Sequence, residues 1–244
     1  MVTEQYKRLA EDLGFLSIQI GEDFIYDVQS YAPRGNYAKK VRSAVNQVKK
    51  RGAVVKEYTP IIARDKALED EFRAIADRWI KSHRFQSKAY FIGLNFFDFY
   101  PIKRYFYVEF ENRIVAFLTC IPIYARNGYL FEDMIRDPSA PNGVSELMVL
   151  EAIRRFKENG SSIATFGVSP KLEVIGSNDL TGLSRIITNT TIRVINTVFR
   201  LRLLHHYRKK YHTEMVERCY LLKHPKRLRI FDVFGILKTF NIIS

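Results

Sequence analysis

The chain has 244 residues, with 39 Lys and Arg against 26 Asp and Glu, a formal net charge of +13. Hydrophobic residues make up 47% and aromatics 14%, enough for a sizeable core. That excludes a disordered chain and bounds the molecule at one large domain or one and a half small ones. The basic balance selects polyanionic partners: nucleic acid, anionic lipid or phosphate-bearing substrates. No signal pattern opens the chain, and no apolar run is long enough to span a bilayer. Cys120 and Cys219 each lie in apolar surroundings and read as buried thiols, which suits a reducing cytoplasm.

In chain order, residues 3–13 read as a short helix, followed by candidate strands Phe15–Ile20 and Phe24–Val28. Tyr37, Val41, Val45 and Val48 recur at helical spacing across Asn36–Arg51, which stops at Gly52. Ala53–Tyr58 reads as a strand, and an apolar stripe of Leu68, Phe72, Ile75, Ala76 and Trp79 predicts a helix over about 65–81. Tyr105–Phe110 and Ile114–Ile121 form a hairpin through Glu111-Asn112-Arg113. A strand at 128–133, a helix at 142–159 stopped by Asn159-Gly160, and a strand Ile163–Phe166 follow. A long helix over 180–206, a strand at 216–222 and a basic amphipathic tail at 225–240 complete the pattern. The tail suits a membrane interface or a helix docked on the domain.

Chemistry concentrates in residues 128–146. Strict alternation along the strand places Tyr129, Phe131 and Asp133 on one face. Asp133 and Arg136 lie three residues apart, followed by a Pro-flanked turn and an Asn142-Gly143 helix start. A carboxylate and a guanidinium at a strand exit beside a helix N-terminus suit a polar ligand; a solvated surface ion pair is the plainer alternative. Two windows lack acids altogether. One, between Asp27 and Glu57, carries Arg34, Lys39, Lys40, Arg42, Lys49, Lys50, Arg51 and Lys56. The other, between Asp179 and Glu214, carries Arg185, Arg193, Arg200, Arg202, Arg208, Lys209 and Lys210. Both can grip phosphates, or serve as solvated helix faces. Tyr207 and Tyr211 suit stacking on an unpaired nucleic-acid end, or the core. The histidines show no zinc spacing, and His205-His206 reads as a helix-end cap.

Asp133-x-x-Arg136-x-Pro138-x-Ala140-Pro141-Asn142-Gly143, followed by Phe166-Gly167-Val168-Ser169-Pro170, resembles the C-terminal catalytic domain of bacterial phosphatidylglycerol lysyltransferases. Tyr207-Arg208-Lys209-Lys210-Tyr211 with Glu214 and Arg218 is similar to that family's Phe-Lys-x-Lys-Phe run. The segment from Gly35 to Arg51-Gly52 resembles its basic helix. Thr213, Met215 and Arg208 depart from the family pattern. The resemblance implies an α+β, GNAT-like fold: a mixed, mainly antiparallel sheet flanked by helices. It places a partial preceding lobe in residues 1–60 and the catalytic lobe in 61–244.

The implied activity is transfer of an amino acid, lysine or alanine, from aminoacyl-tRNA to phosphatidylglycerol or a related lipid, with no metal and no cofactor. Ester exchange of this kind needs recognition of an ammonium, activation of a hydroxyl and stabilisation of an oxyanion. The resemblance assigns Asp133, Arg136 and Lys210 to catalysis and Tyr129, Asn142, Glu146, Arg208 and Lys209 to substrate binding. Asp133 is expected to meet the ammonium or to orient groups, Arg136 to bind phosphate or steady Asp133, and Lys210 to sit at the ester or lipid phosphate. Asn142 is expected as a helix cap or a donor to substrate. The partners implied are aminoacyl-tRNA and an anionic phospholipid or membrane surface, with a cytoplasmic location peripheral to the inner membrane face. Two alternatives remain: an acyl-CoA N-acyltransferase, for which the usual pyrophosphate-cradling turn is absent, and a non-catalytic tRNA- or membrane-binding module.

Overall fold

The structure, a computed structural model, describes residues 2–82, 95–170 and 201–224, with residues 231, 235 and 238. Its elements are β1 (Val2–Thr3), α1 (Glu4–Asp12), β2 (Leu16–Asp27), α2 (Lys39–Lys50), β3 (Val54–Tyr58) and α3 (Lys66–Ser82). There follow β4 (Arg104–Phe110), β5 (Arg113–Ile123), β6 (Gly128–Arg136), α4 (Val144–Glu158), β7 (Ile163–Pro170), α5 (Leu201–Lys209) and β8 (Met215–Lys223). All eight strands form one sheet, in the order β1-β8-β2-β7-β6-β5-β4-β3. The β6–β7 pairing is parallel and the rest are antiparallel. This is the GNAT-like mixed sheet flanked by helices that the motifs led us to expect. The sheet runs across residue 60 without a break, since β2 pairs with β7 and β8 while β3 pairs with β4.

Two apolar layers sandwich the sheet. On one face Phe106, Leu118, Phe131 and Phe166 pack against Val41, Val45 and Val48 of α2 and Leu147, Met148 and Phe156 of α4. On the other face Phe72 of α3 stacks on Phe117, ring centroids 4.6 Å apart and nearly coplanar. Burying an aromatic side chain of this kind contributes roughly 1.5–3 kcal/mol. Cys120 and Cys219 are free and buried, as their apolar context suggested. The β4–β5 turn places Glu111 and Asn112 at φ +50° and +57°, the left-handed pair that a two-residue hairpin requires.

Several expectations are corrected. The candidate strands 15–20 and 24–28 are a single strand, because β7 and β8 pair with β2 on both sides through its polar middle. Strands β6 and β7 each run longer than predicted, to Arg136 and Pro170. Asn142 does not cap α4: Gly143 occupies the cap at φ +95°, with no side-chain cap bond. His206 lies in the last turn of α5, as expected of a helix-end residue, whereas His205 lies one residue earlier and packs on Phe24. Residues 180–200 of the predicted long helix, and nearly all of the tail at 225–240, lie outside the described residues.

Gly143 also packs directly against α2. A Cβ built there would lie 2.4 Å from the Ala44 carbonyl oxygen, and φ +95° strains any L residue. Gly143→Ala is therefore expected to cost about 2–4 kcal/mol, the sum of backbone strain and overpacking. Chemical denaturation of the two proteins measures this difference.

Candidate active site

Strands β6 and β7 lie parallel only over Gly128–Leu130 against Ile163–Thr165. Beyond that point each carries a bulge. On β6, Glu132 and Asp133 together face the one residue Thr119 of β5, between the pairs Leu118↔Met134 and Cys120↔Phe131. On β7, Phe166 and Gly167 face the single residue Phe24 of β2, with Gly167 at φ +69°. Bulges bend strands and re-aim side chains, and here they carry β6 and β7 apart.

Residues of α5 and the first turn of α4 meet at this parting. Tyr207 donates its hydroxyl proton toward Met134 Sδ at 3.4 Å and lies 2.7 Å from the Tyr211 hydroxyl. The Tyr211 ring is wholly buried against Tyr26 and Phe166. The Lys210 ammonium donates to Glu146 Oε1 at 2.5 Å and rides 3.5 Å over the Tyr207 ring. Burial pushes the Lys210 pKa below that of an ordinary lysine, and the Arg136 charge adds to the effect, whereas Glu146 opposes it. Arg136 is exposed at the end of β6 and makes no ion pair among the described residues. Two cations therefore lie near the N-terminus of a 15-residue helix. Unbonded amides and the helix dipole there favour an anion.

Asp133 takes the opposite side of the sheet. The bulge breaks strict alternation, so Tyr129 and Phe131 pack under α4 while the Asp133 carboxylate reaches Thr119, on the face of Phe117. The expected sharing of one face by Tyr129, Phe131 and Asp133 is thus corrected. The Thr119 hydroxyl accepts from the Asp133 amide at 3.1 Å. It has one proton for two carboxylate oxygens, Glu132 Oε2 at 3.1 Å and Asp133 Oδ2 at 3.2 Å. Lys103 pairs with Glu132 at 2.8 Å. Burial raises the Asp133 pKa and neighbouring Glu132 raises it further, against the Thr119 hydrogen bond and Lys103. No ion pair joins Asp133 to Arg136.

Residues 1–223 match the family model described as "Phosphatidylglycerol lysyltransferase, C-terminal". The chain belongs to this family. It is similar to the lysylphosphatidylglycerol biosynthesis bifunctional protein LysX of Nocardia farcinica, 22% identical over 226 residues, covering 88% of this chain and 19% of that protein. It is also similar to the phosphatidylglycerol lysyltransferase of Bacillus subtilis, 25% identical over 173 residues, covering 68% of this chain and 19% of that one. The chain thus spans about a fifth of the length of these relatives. The L-PGS structure from Bacillus licheniformis shares the fold with a TM-score of 0.71 and 18% identity, over 98% of this chain and 70% of that one.

Within this fold, the residues singled out from sequence fall into distinct groups. Lys210, Glu146 and Arg136 come together, and Asp133 faces away from them. Arg208 donates to the carbonyls of Gly167 at 3.2 Å and Val168 at 2.7 Å, and so anchors α5 to β7. Lys209 and Asn142 are exposed. Tyr129 stacks on Phe156, centroids 4.3 Å apart, near Arg104 at the far end of β6. Sequence reasoning missed Thr119, Glu132 and Lys103. The legible signal was Thr119, a lone hydroxyl in the otherwise apolar run Val115–Ile121.

The charges around Asp133 yield a stability prediction. Its folded pKa is raised above its unfolded value, so the native state holds this proton more tightly. The resulting stabilisation is present below the ordinary Asp value of 3.8 and is lost as pH rises through the folded pKa. Asp133→Asn is therefore expected to raise the Tm at neutral pH, with the gain shrinking as pH falls toward 3.8. Thermal scans across pH measure this. A second titration reports on the cluster: Glu146→Gln should lower the Lys210 pKa further, read from its side-chain NMR signals.

Proposed function

We propose that this chain carries the aminoacyl-transfer chemistry of its family, moving an amino acid, lysine or alanine, from aminoacyl-tRNA to phosphatidylglycerol. The observation that carries this reading is the Lys210–Glu146 pair beside Arg136 at the α4 N-terminus, where β6 and β7 part. In the proposed step a glycerol hydroxyl oxygen of the lipid attacks the ester carbonyl and its proton passes to a base. The tetrahedral oxyanion collapses, the bond to the tRNA ribose oxygen breaks, and that oxygen takes up a proton. One ester replaces another, so the step balances without an added energy source. Lys210, Arg136 and the free amides of α4 would bind the developing oxyanion or a substrate phosphate. Asp133 lies on the opposite face of the sheet and, with a pKa raised by burial, is a stronger base than an exposed aspartate; it would accept the hydroxyl proton through the gap where β6 and β7 part. Asn142 and Lys209, both exposed, would contact substrate at the rim, with Arg208 and Tyr129 holding the elements that frame the gap.

Donor binding falls to the basic segment around α2. Its Lys39, Lys40, Lys49, Lys50 and Arg51 are exposed, with no acid between Asp27 and Glu57. We propose that this face holds tRNA phosphates, that residues 1–60 stand for a partial preceding lobe, and that the chain works in the cytoplasm at the inner membrane face. No helix among the described residues is long and apolar enough to cross a membrane.

The test is transfer of radiolabelled amino acid from a panel of charged tRNAs into phosphatidylglycerol. Lipid-soluble label is expected with the unaltered chain. Its rate should fall by about 10²–10³ in Asp133→Ala, as when one stabilising or proton-accepting group is removed. Unchanged transfer in the variant would overturn the assignment of Asp133. Substituting Lys39, Lys40, Lys49 and Lys50 together by Gln should weaken tRNA binding and flatten its salt dependence, each lost phosphate contact reducing the slope by about 1.

A further inference from the structure

Helix α1 turns its apolar side to solvent. It packs on β2 and β8, yet Ala10 is its one buried residue. Tyr6, Leu9 and Leu13 recur at i, i+3 and i+7 and so form one stripe, and they are 58, 61 and 66% exposed. A surface helix normally shows the reverse, with apolar residues toward the sheet and charges outward. The inward side of α1 is held by polar contacts instead. Glu4 accepts from Lys7 at 3.4 Å and from the Tyr220 hydroxyl, Glu11 accepts from the Ser17 hydroxyl, and the Lys7 ammonium lies 4.8 Å over the Tyr220 ring. These contacts fix the rotation of the helix, so the stripe stays outward. Two charges accompany it. Arg8 and Asp12 are exposed one turn apart on the same flank of the stripe, and neither makes an ion pair among the described residues.

We propose that this face joins two copies of the chain about a two-fold axis, with α1 antiparallel to the partner's α1. The axis passes beside Leu9, the middle of the stripe, so Leu9 packs on the partner's Leu9 and Tyr6 on the partner's Leu13. An antiparallel pair related in this way brings the same flank of both helices together. Arg8 therefore meets the partner's Asp12, and Asp12 meets the partner's Arg8. The surface is complementary to itself in apolar spacing and in charge, as an isologous interface requires. A parallel pairing would leave both charges unanswered, because opposite flanks then meet. Exposed ion pairs add little affinity, but they set orientation and register. A helix of nine residues is about 13 Å long. The pair covers less than the roughly 1,200 Å² at which stable interfaces begin, so the dimer is weak and forms with rising concentration. Association is read without turnover, so it stands or falls separately from the transfer reaction.

Sedimentation equilibrium of the whole chain, from micromolar to near-millimolar concentration, tests this. The average mass should rise from monomer toward dimer and stop there. Leu9→Lys, at an exposed position, should weaken the dimer by at least about tenfold, as loss of a central apolar contact does. Arg8→Asp and Asp12→Arg should each weaken it several-fold by setting like charges against each other, and the two together should restore it. A monomer at every concentration, an unchanged dimer in Leu9→Lys, or a double variant weaker than either single one would each overturn the proposal. In a monomeric chain, a spin label on Leu9→Cys that broadens the resonances of residues 225–240 would give the stripe to the chain's own C-terminal segment instead. The concentration series uses the unaltered chain, so it holds even if a variant fails to fold.

Discussion

The parting of β6 and β7 after three paired residues is the constraint on which the candidate site depends. Two parallel strands in mid-sheet would normally continue their ladder, since each abandoned backbone group needs another partner. Here the separation is enforced from both sides. The bulge at Glu132–Asp133 turns β6, the bulge at Phe166–Gly167 turns β7, and β7 gives its outer length to β2 instead. Tyr207 and Tyr211 of α5 then pack against Phe166 beside the gap. Their hydroxyls bond to each other, and Tyr26 and Tyr31 donate to the Arg208 and Tyr211 carbonyls. Buried hydroxyls that satisfy one another and the end of a helix hold that helix in one position.

Arg78 and Asp137 secure the other wall. Arg78 on α3 donates to Asp137 at 2.5 Å, and Asp137 also accepts from the Ser139 amide and hydroxyl. These bonds fix the turn between β6 and α4, so that α4 starts where Glu146 meets Lys210. The Asp137 carboxyl lies below the usual range: burial alone would raise it, and the Ser139 and Arg78 bonds outweigh that effect. A rigid turn of this kind pre-orients the helix N-terminus for an anionic group, and preorganisation is the larger part of electrostatic catalysis.

Much of the architecture was legible in the residues. Helical spacing of Val41, Val45 and Val48 located α2, and the stripe from Leu68 to Trp79 located α3. The Asp133–Gly143 block and the Lys210 run were read as parts of one site; Lys210 meets Glu146, just beyond that block, whereas Asp133 lies on the other face of the sheet. What was illegible has a common cause. A bulge inserts a residue without leaving a composition signal, so strict alternation along β6 put Asp133 on the wrong face. The helix start was placed on Asn142 because asparagine is a strong capping residue, yet tight α2–α4 packing demands Gly143 there.

The central claim is that chemistry occurs at the gap between β6 and β7, with Lys210 as the cation that stabilises developing charge. Single-turnover transfer from aminoacyl-tRNA to phosphatidylglycerol vesicles, comparing the unaltered chain with Lys210→Met, tests it most directly. The account predicts tRNA binding near that of the unaltered chain and a transfer step slowed by about 10²–10³. A variant that transfers at the original rate would contradict it.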